Sequence, residues 1–132
     1  MATFQRFEDI DAWKRARELN KRVYRFTASG AIAKDFELRG QMRRASLSAM
    51  GNIAEGFGRE GRKEFIQFLS ISKGSATEVQ SHLYAALDAE YIDQETFDVS
   101  YRLADEVVRL ITGLMAYLQR CEIAGPKYLV DQ

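Results

Sequence analysis

Cysteine, proline and histidine are scarce in this 132-residue chain, which contains one of each. A single cysteine, Cys121, excludes an internal disulfide and any zinc site built from several cysteines. We interpret it as a small apolar residue near a helix end. The only histidine, His82, has no companion ligand, so the sequence gives little support for a metal centre or for histidine-based catalysis.

Long apolar runs are missing as well, and no stretch approaches the ~18 uninterrupted apolar residues that a membrane span needs. The N-terminal sequence MATFQRFEDID also lacks the apolar run of a signal peptide. We therefore expect a cytoplasmic protein with no membrane partner. Phosphate-binding glycine loops follow strands, whereas GFGREG follows a helical pattern, so no nucleotide or other cofactor is expected.

The segment RRASLSAMGNIAEGFGR, from Arg43 to Arg59, combines helical periodicity with unusually small residues. At helical spacing, one face carries Met42, Ser46, Ala49, Ile53 and Phe57. Small side chains on a buried face favour the close approach of another helix. The glycines that follow are predicted to end the helix by adopting positive φ. These glycines are Gly56, Gly58 and Gly61.

Polar residues accompany this small-residue face, and a buried face tolerates them only when they are hydrogen-bonded. Asn52 and Glu55 are therefore predicted to belong to a fixed network. Arg43 lies twelve residues before Glu55, so a partner for either must come from a facing helix or subunit. The candidate structural network comprises Arg43, Arg44, Asn52, Glu55, Gly56 and Gly58. Catalysis by these groups is disfavoured, because no histidine or carboxylate lies at a suggestive spacing.

Four periodic segments, at about residues 9–27, 35–57, 62–87 and 95–121, predict an all-α chain with a single domain. Asp9 or Asp11 could cap the first helix. The third repeats Phe65, Leu69, Ser72, Ala76, Val79, Leu83 and Ala86, and the fourth repeats Phe97, Tyr101, Ala104, Val108, Ile111, Met115 and Leu118. These alternating steps of four and three are a heptad seam. The predicted fold is an up-and-down antiparallel four-helix bundle with left-handed packing.

Charge is distributed unevenly, although the net charge is zero. Residues 1–73 carry 15 basic and 9 acidic groups, whereas residues 74–132 carry 4 basic and 10 acidic groups. On the predicted first helix, one half of the surface carries six basic residues and only one acidic residue, Glu18. The six candidate nucleic-acid contacts are Lys14, Arg15, Arg17, Lys21, Arg22 and Arg25.

Two explanations of this basic face stay open. It could contact nucleic-acid phosphates, or its cations could serve packing and pair with acidic groups of the second half. The acidic candidates for such pairing include Asp98, Asp105 and Glu106.

The motif NIAEGFGR, followed by KEFIQFLSISKGSATE, resembles the central signature of the ribosomal-RNA intervening-sequence proteins, often called "four helix bundle protein". The resemblance begins at FEDIDAWKRARELNKRVY and extends through GSATEVQSHL. One departure lies at residues 28–33, ASGAIA, where the family usually has a Phe-Pro pair. The resemblance implies a four-helix bundle that assembles as a ring-like homopentamer, with no known catalytic activity. Some relatives are encoded inside large ribosomal RNA genes, and others are nucleic-acid-binding accessory proteins of reverse transcriptases.

We therefore expect a non-enzymatic oligomeric protein, and two classes of function compete. The first is a nucleic-acid-binding accessory protein that contacts phosphates of RNA or DNA without reading bases. The second is an assembly module that binds protein, either other copies of the chain, a reverse transcriptase or another partner. A sequence pI near 6.6 argues against the first class. The six-cation face of the first helix argues for it.

Overall fold

Four α-helices form most of the computed structural model, which describes residues 4–124. Helix α1 spans Asp11–Phe26, α2 spans Phe36–Gly58, α3 spans Arg62–Asp88 and α4 spans Gln94–Ala124. Short 3-10 helices at Phe7–Asp9 and Ala31–Lys34 precede α1 and α2.

The helices pack in chain order, and α1 also packs against α4, so the four helices close into a bundle. The connections between consecutive helices have nine, three and five residues. Connections this short place consecutive helices antiparallel. The prediction of an all-α four-helix bundle is confirmed.

The apolar interior consists of two clusters, one toward each end of the bundle. One joins the start of α1 and α3 to the ends of α2 and α4, around Phe65, Ile53 and Ile111. The other joins the opposite ends of the same helices, around Leu19 and Leu83. Because every helix contributes to both clusters, the interior positions all four helices together.

The predicted seam of α3 is buried at all seven positions. On α4 the buried seam lies slightly to one side of the prediction: Ser100 and Val107 have no exposed surface, whereas Tyr101 and Val108 are half-buried. The apolar stripe of α4 is wide, and its packing between α1 and α3 decides which part of the stripe faces the interior.

The beginnings of α1 and α2 are fixed differently. Ile10 occupies the N-cap position of α1 without a side-chain cap, so the prediction that Asp9 or Asp11 caps this helix is wrong. Ile10 is 1% exposed, and its burial anchors the chain at this point. At α2, Asp35 Oδ1 accepts a hydrogen bond from the Leu38 amide at 3.1 Å.

Asp35 also connects the beginning of α2 to the connection between α3 and α4. The Tyr91 hydroxyl donates to Asp35 Oδ2 at 3.0 Å, and this bond to a carboxylate raises the pKa of Tyr91. In the departure segment ASGAIA, Ile32 is 1% exposed. A buried isoleucine therefore anchors this connection.

Helices α2 and α3 are in close contact at Gly56. A Cβ atom built on Gly56 would lie 2.7 Å from Phe68 Cβ and 3.0 Å from Phe65 Cδ1. Real Cβ atoms do not approach other atoms this closely, so only glycine fits without a shift of the backbone.

The turn after α2 is not made by the predicted glycines. Positive φ occurs at Glu60, at 65°, whereas Gly61 has an extended φ of −117° and Gly58 is the last helical residue of α2. The prediction that Gly56, Gly58 and Gly61 supply positive φ is therefore wrong. Gly56 serves close packing, and a single left-handed residue suffices for a three-residue connection.

We predict that Gly56→Ala destabilises the bundle, because the new methyl group must displace Phe65 and Phe68. Overpacking of this kind typically costs about 1–3 kcal/mol of the free energy of unfolding. Gly51→Ala is the matched control in α2, since its Cβ would meet no atom within 4 Å. It should raise stability by about 0.4–1 kcal/mol. Chemical denaturation of both variants measures the difference, and equal effects would contradict the assignment.

Candidate nucleic-acid interface

The predicted basic face covers the outer surface of α1, between the helices that flank it. Two of its lysines make ion pairs along the helix: Lys14 with Asp11 at 3.8 Å and Lys21 with Glu18 at 3.5 Å. The Arg17 guanidinium lies 5.9 Å from the centre of the Trp13 ring. These short-range contacts leave the cations at the surface.

Arg15 is the member of this face that pairs with the acidic second half of the chain. Its Nε donates to Glu106 Oε1 on α4 at 3.0 Å, and both side chains are about half exposed. Such a pair contributes only about 0.2–1 kcal/mol. Of the other acidic candidates, Asp105 pairs with Arg109 and Asp98 accepts a hydrogen bond from Gln94. Among the described residues, one salt bridge therefore joins a basic residue of the predicted face to an acidic residue of the second half of the chain.

A surface groove of about 470 Å³ runs between α1 and α4. We call it the α1–α4 groove, and it is lined by Arg15, Glu18, Lys21, Arg22, Arg25, Val99, Arg102, Leu103 and Glu106. Its two carboxylates are already engaged, Glu106 by Arg15 and Glu18 by Lys21. A smaller groove of about 170 Å³ shares Arg22 and Arg25 and extends the basic surface to Thr96.

Three guanidinium groups of the α1–α4 groove have no carboxylate partner within residues 4–121. Arg25 and Arg102 are exposed, and Arg22 Nε makes one long hydrogen bond, 3.5 Å, to Ser100 Oγ. Three positive charges thus share one groove. A guanidinium group can donate two hydrogen bonds to one phosphate, so this arrangement suits a phosphate ligand.

Arg102 was missed by sequence reasoning, because it lies in the acidic half of the chain. A signal was present: Val99, Arg102, Leu103 and Glu106 follow helical spacing along one stripe of α4. That spacing places the four residues on one face, but it does not say that the face meets α1. The groove therefore combines residues that are as much as 91 positions apart in the sequence.

The polar residues beside the small face of α2 form a hydrogen-bonded network. Asn52 Nδ2 donates to the carbonyl oxygen and to the hydroxyl of Ser48, both at 2.9 Å. The Ser48 hydroxyl lies 2.8 Å from that of Ser75 on α3. The buried Ser72 hydroxyl donates to the Ala49 carbonyl oxygen, which is a second link between α2 and α3.

Glu55 does not belong to this network. It is exposed and pairs with Arg59, one turn further along, at 3.0 Å. The prediction that its partner comes from a facing helix or subunit is wrong for the described chain, because the partner follows Glu55 by four residues in the same chain. Arg43 Nε donates to Thr27 Oγ1 at 2.9 Å, so its partner is the residue at the C-cap of α1. Arg44 is exposed beside a groove of about 270 Å³ between α2 and α3.

Within residues 4–124, no group of three or more His, Cys, Asp or Glu side chains could hold a metal ion. Within the same range, no helix is both long enough and apolar enough to cross a membrane. His82 lies on α3 with Nε2 3.7 Å from Glu78, a side chain that is 54% exposed.

Comparisons with known proteins agree with this architecture. The family model described as 23S rRNA-intervening sequence protein matches residues 8–113. A crystal structure of a protein with unknown function from the S23 ribosomal protein family, from Bacteroides thetaiotaomicron, is 23% identical, with a TM-score of 0.74. The alignment covers 80% of this chain and 95% of that chain. At 23% identity, this alignment shows that the two proteins share a fold. No curated protein matches the chain.

We predict that the two polar residues of the NIAEGFGR motif differ in their effect on stability. Asn52→Ala removes two hydrogen bonds to Ser48 and should lower the free energy of unfolding by about 1 kcal/mol. Glu55→Ala removes one exposed ion pair and should change it by less than about 0.5 kcal/mol. Thermal unfolding measures both, and a larger loss in the Glu55 variant would contradict the network.

Proposed function

Because this chain belongs to the 23S rRNA-intervening sequence protein family, we propose that it is a non-enzymatic accessory protein that binds the phosphates of RNA or DNA. The family match covers residues 8–113, and the description of the family names no enzymatic activity. The proposal therefore depends on the surface of this chain and on the charges that it carries.

One observation carries the proposal: Arg22, Arg25 and Arg102 converge on the α1–α4 groove without carboxylate partners among the described residues. Three cations in one groove repel each other, and a phosphate relieves this repulsion while it accepts hydrogen bonds. The net charge of the whole chain is zero, but Coulomb forces between exposed charges fall off over about 8–10 Å at physiological salt. The local positive charge therefore matters more than the total.

Binding of this kind is tolerant of base sequence. Phosphate contacts position a nucleic acid but carry no sequence information. The partner could be RNA or DNA, and a reverse transcriptase could share the same nucleic acid. We propose that the role of the protein is to hold a strand of this nucleic acid in place.

Assembly is the second element of the proposal, and exposed apolar residues on α2 and α3 support it. Leu47 on α2 is 46% exposed and Ile71 on α3 is 52% exposed. Burial of apolar surface against a second copy would stabilise an oligomer. The resemblance to ring-forming relatives points to five copies. A ring would repeat the α1–α4 groove and raise the affinity for a long strand through multivalency.

We predict that neutralising the groove weakens nucleic-acid binding and its salt dependence. The triple variant Arg22→Gln, Arg25→Gln and Arg102→Gln should lose affinity for RNA and DNA alike. Each lost phosphate contact should reduce the slope of log affinity against log salt by about 0.7 for single strands and 0.9 for duplex DNA. Gel shifts over a range of salt concentrations measure this slope.

The matched control is Arg109→Gln, which removes another exposed arginine of α4 that lies outside the groove. It should leave affinity and salt slope nearly unchanged. If both proteins lose affinity equally, the groove is not the binding surface. Absence of any gel shift with the wild-type protein at low salt would favour the second class of function, an assembly module that binds protein.

We predict that the wild-type protein is a pentamer in solution. Light scattering should give a mass close to five times the 15.1 kDa of one chain. Leu47→Glu combined with Ile71→Glu should reduce this mass without loss of helical circular dichroism, since both side chains are already half exposed. A clean monomer of the wild-type protein at micromolar concentration would contradict the proposed assembly.

A further inference from the structure

Two exposed aromatic rings lie where the end of α1 meets the start of α2. Phe36, the first residue of α2, is 71% exposed, the largest fraction among the large hydrophobic side chains of the described residues. Tyr24, in the last turn of α1, is 36% exposed. Single exposed apolar residues are common on protein surfaces, so exposure alone indicates nothing. The groups that cover the rings are more informative.

Each ring has an arginine of α2 over one face. The Arg39 guanidinium carbon lies 4.9 Å from the centre of the Phe36 ring, and that of Arg43 lies 4.3 Å from the centre of the Tyr24 ring. These are cation–π distances. Since Phe36 is 71% exposed although Arg39 covers one face, much of its ring stays accessible to a ligand.

Hydrogen bonds to the connection between α1 and α2 hold both guanidinium groups in place. Arg39 Nη1 donates to the Ala33 carbonyl oxygen at 2.7 Å. Arg43 Nε donates to Thr27 Oγ1 at 2.9 Å, and its Nη2 donates to the Tyr24 carbonyl oxygen at 3.4 Å. Neither arginine has a carboxylate partner among residues 4–121. The two planar cations are therefore preorganised and keep their charge available.

The two pairs follow each other along α2. Arg39 and Arg43 are four residues apart, which corresponds to about 6 Å of helical rise. The surface thus alternates rings and guanidinium groups over about one turn. Side chains of both kinds are the groups on which unpaired bases stack in proteins that bind single strands.

We propose that these four residues, which we call the Tyr24–Phe36 platform, stack unpaired bases, so that the nucleic acid bound by this protein is single-stranded. The inference rests on the proposed function, since the α1–α4 groove would hold the phosphates of the same strand. Tyr24 and Arg25 are successive residues of α1 and point about 100° apart around the helix. The platform and the groove therefore both include residues of the same turn of α1. A duplex would offer phosphates to the groove but no accessible base faces to the platform.

The test compares one labelled oligonucleotide, alone and annealed to its complement, by fluorescence polarisation. The variants are Tyr24→Leu, Phe36→Leu and the double variant, because leucine keeps an apolar surface but removes the ring. We expect each substitution to weaken single-strand binding about fivefold or more, while duplex binding changes by less than about twofold. Tyr84→Leu is the control, since it removes an exposed ring that lies on α3, outside the platform. It should leave both affinities unchanged.

The outcomes separate this inference from the proposed function. If wild-type protein binds both ligands and the leucine variants lose neither, the platform is refuted while phosphate binding stands. If the wild type binds neither ligand at low salt, both proposals fail together. A change of oligomer mass in the leucine variants would show that the rings contact a second copy, and this result would also overturn the platform.

Discussion

The close contact between α2 and α3 is the constraint on which the rest of the bundle depends. At Gly56 the two helices leave no room for a methyl group, and the Ser72 hydroxyl reaches the Ala49 carbonyl oxygen across the same interface. Such proximity requires small side chains along α2. Polar atoms enclosed by the two helices must then be paired, because an unsatisfied buried group costs about 1–3 kcal/mol. The serine and asparagine hydrogen bonds between Ser48, Asn52 and Ser75 meet this requirement.

Helices α1 and α4 are joined differently, and the difference creates the candidate site. Their contact combines apolar packing toward the interior with the Arg15–Glu106 ion pair near the surface. The groove above this contact collects cations from both helices, but its two carboxylates already have partners. A structure that is neutral overall therefore keeps a local excess of positive charge. The excess depends on the packing of α1 against α4, since this packing brings Arg102, from the acidic half of the chain, beside the cations of α1.

Fold and function have separate support in this protein. The structural relative at 23% identity shares the bundle, and a bundle is compatible with many functions. The proposed activity depends instead on where individual side chains lie. Three arginines of the α1–α4 groove have no carboxylate partner among the described residues, and two ring–guanidinium pairs lie where the end of α1 meets the start of α2. These features need no cleft and no titratable pair of the kind that catalysis requires. They suit a protein that holds a strand.

The sequence by itself determined the helices, the buried seam of α3 and the small-residue face of α2, because periodicity and side-chain size act locally along the chain. It also identified the cations of α1. The structure alone decided their partners: Glu55 faces solvent, Arg15 meets Glu106, and Arg102 joins Arg22. It also assigned positive φ to Glu60 instead of the neighbouring glycines. These outcomes depend on which helix faces are brought together, and the contacts between such faces join residues that are far apart in sequence.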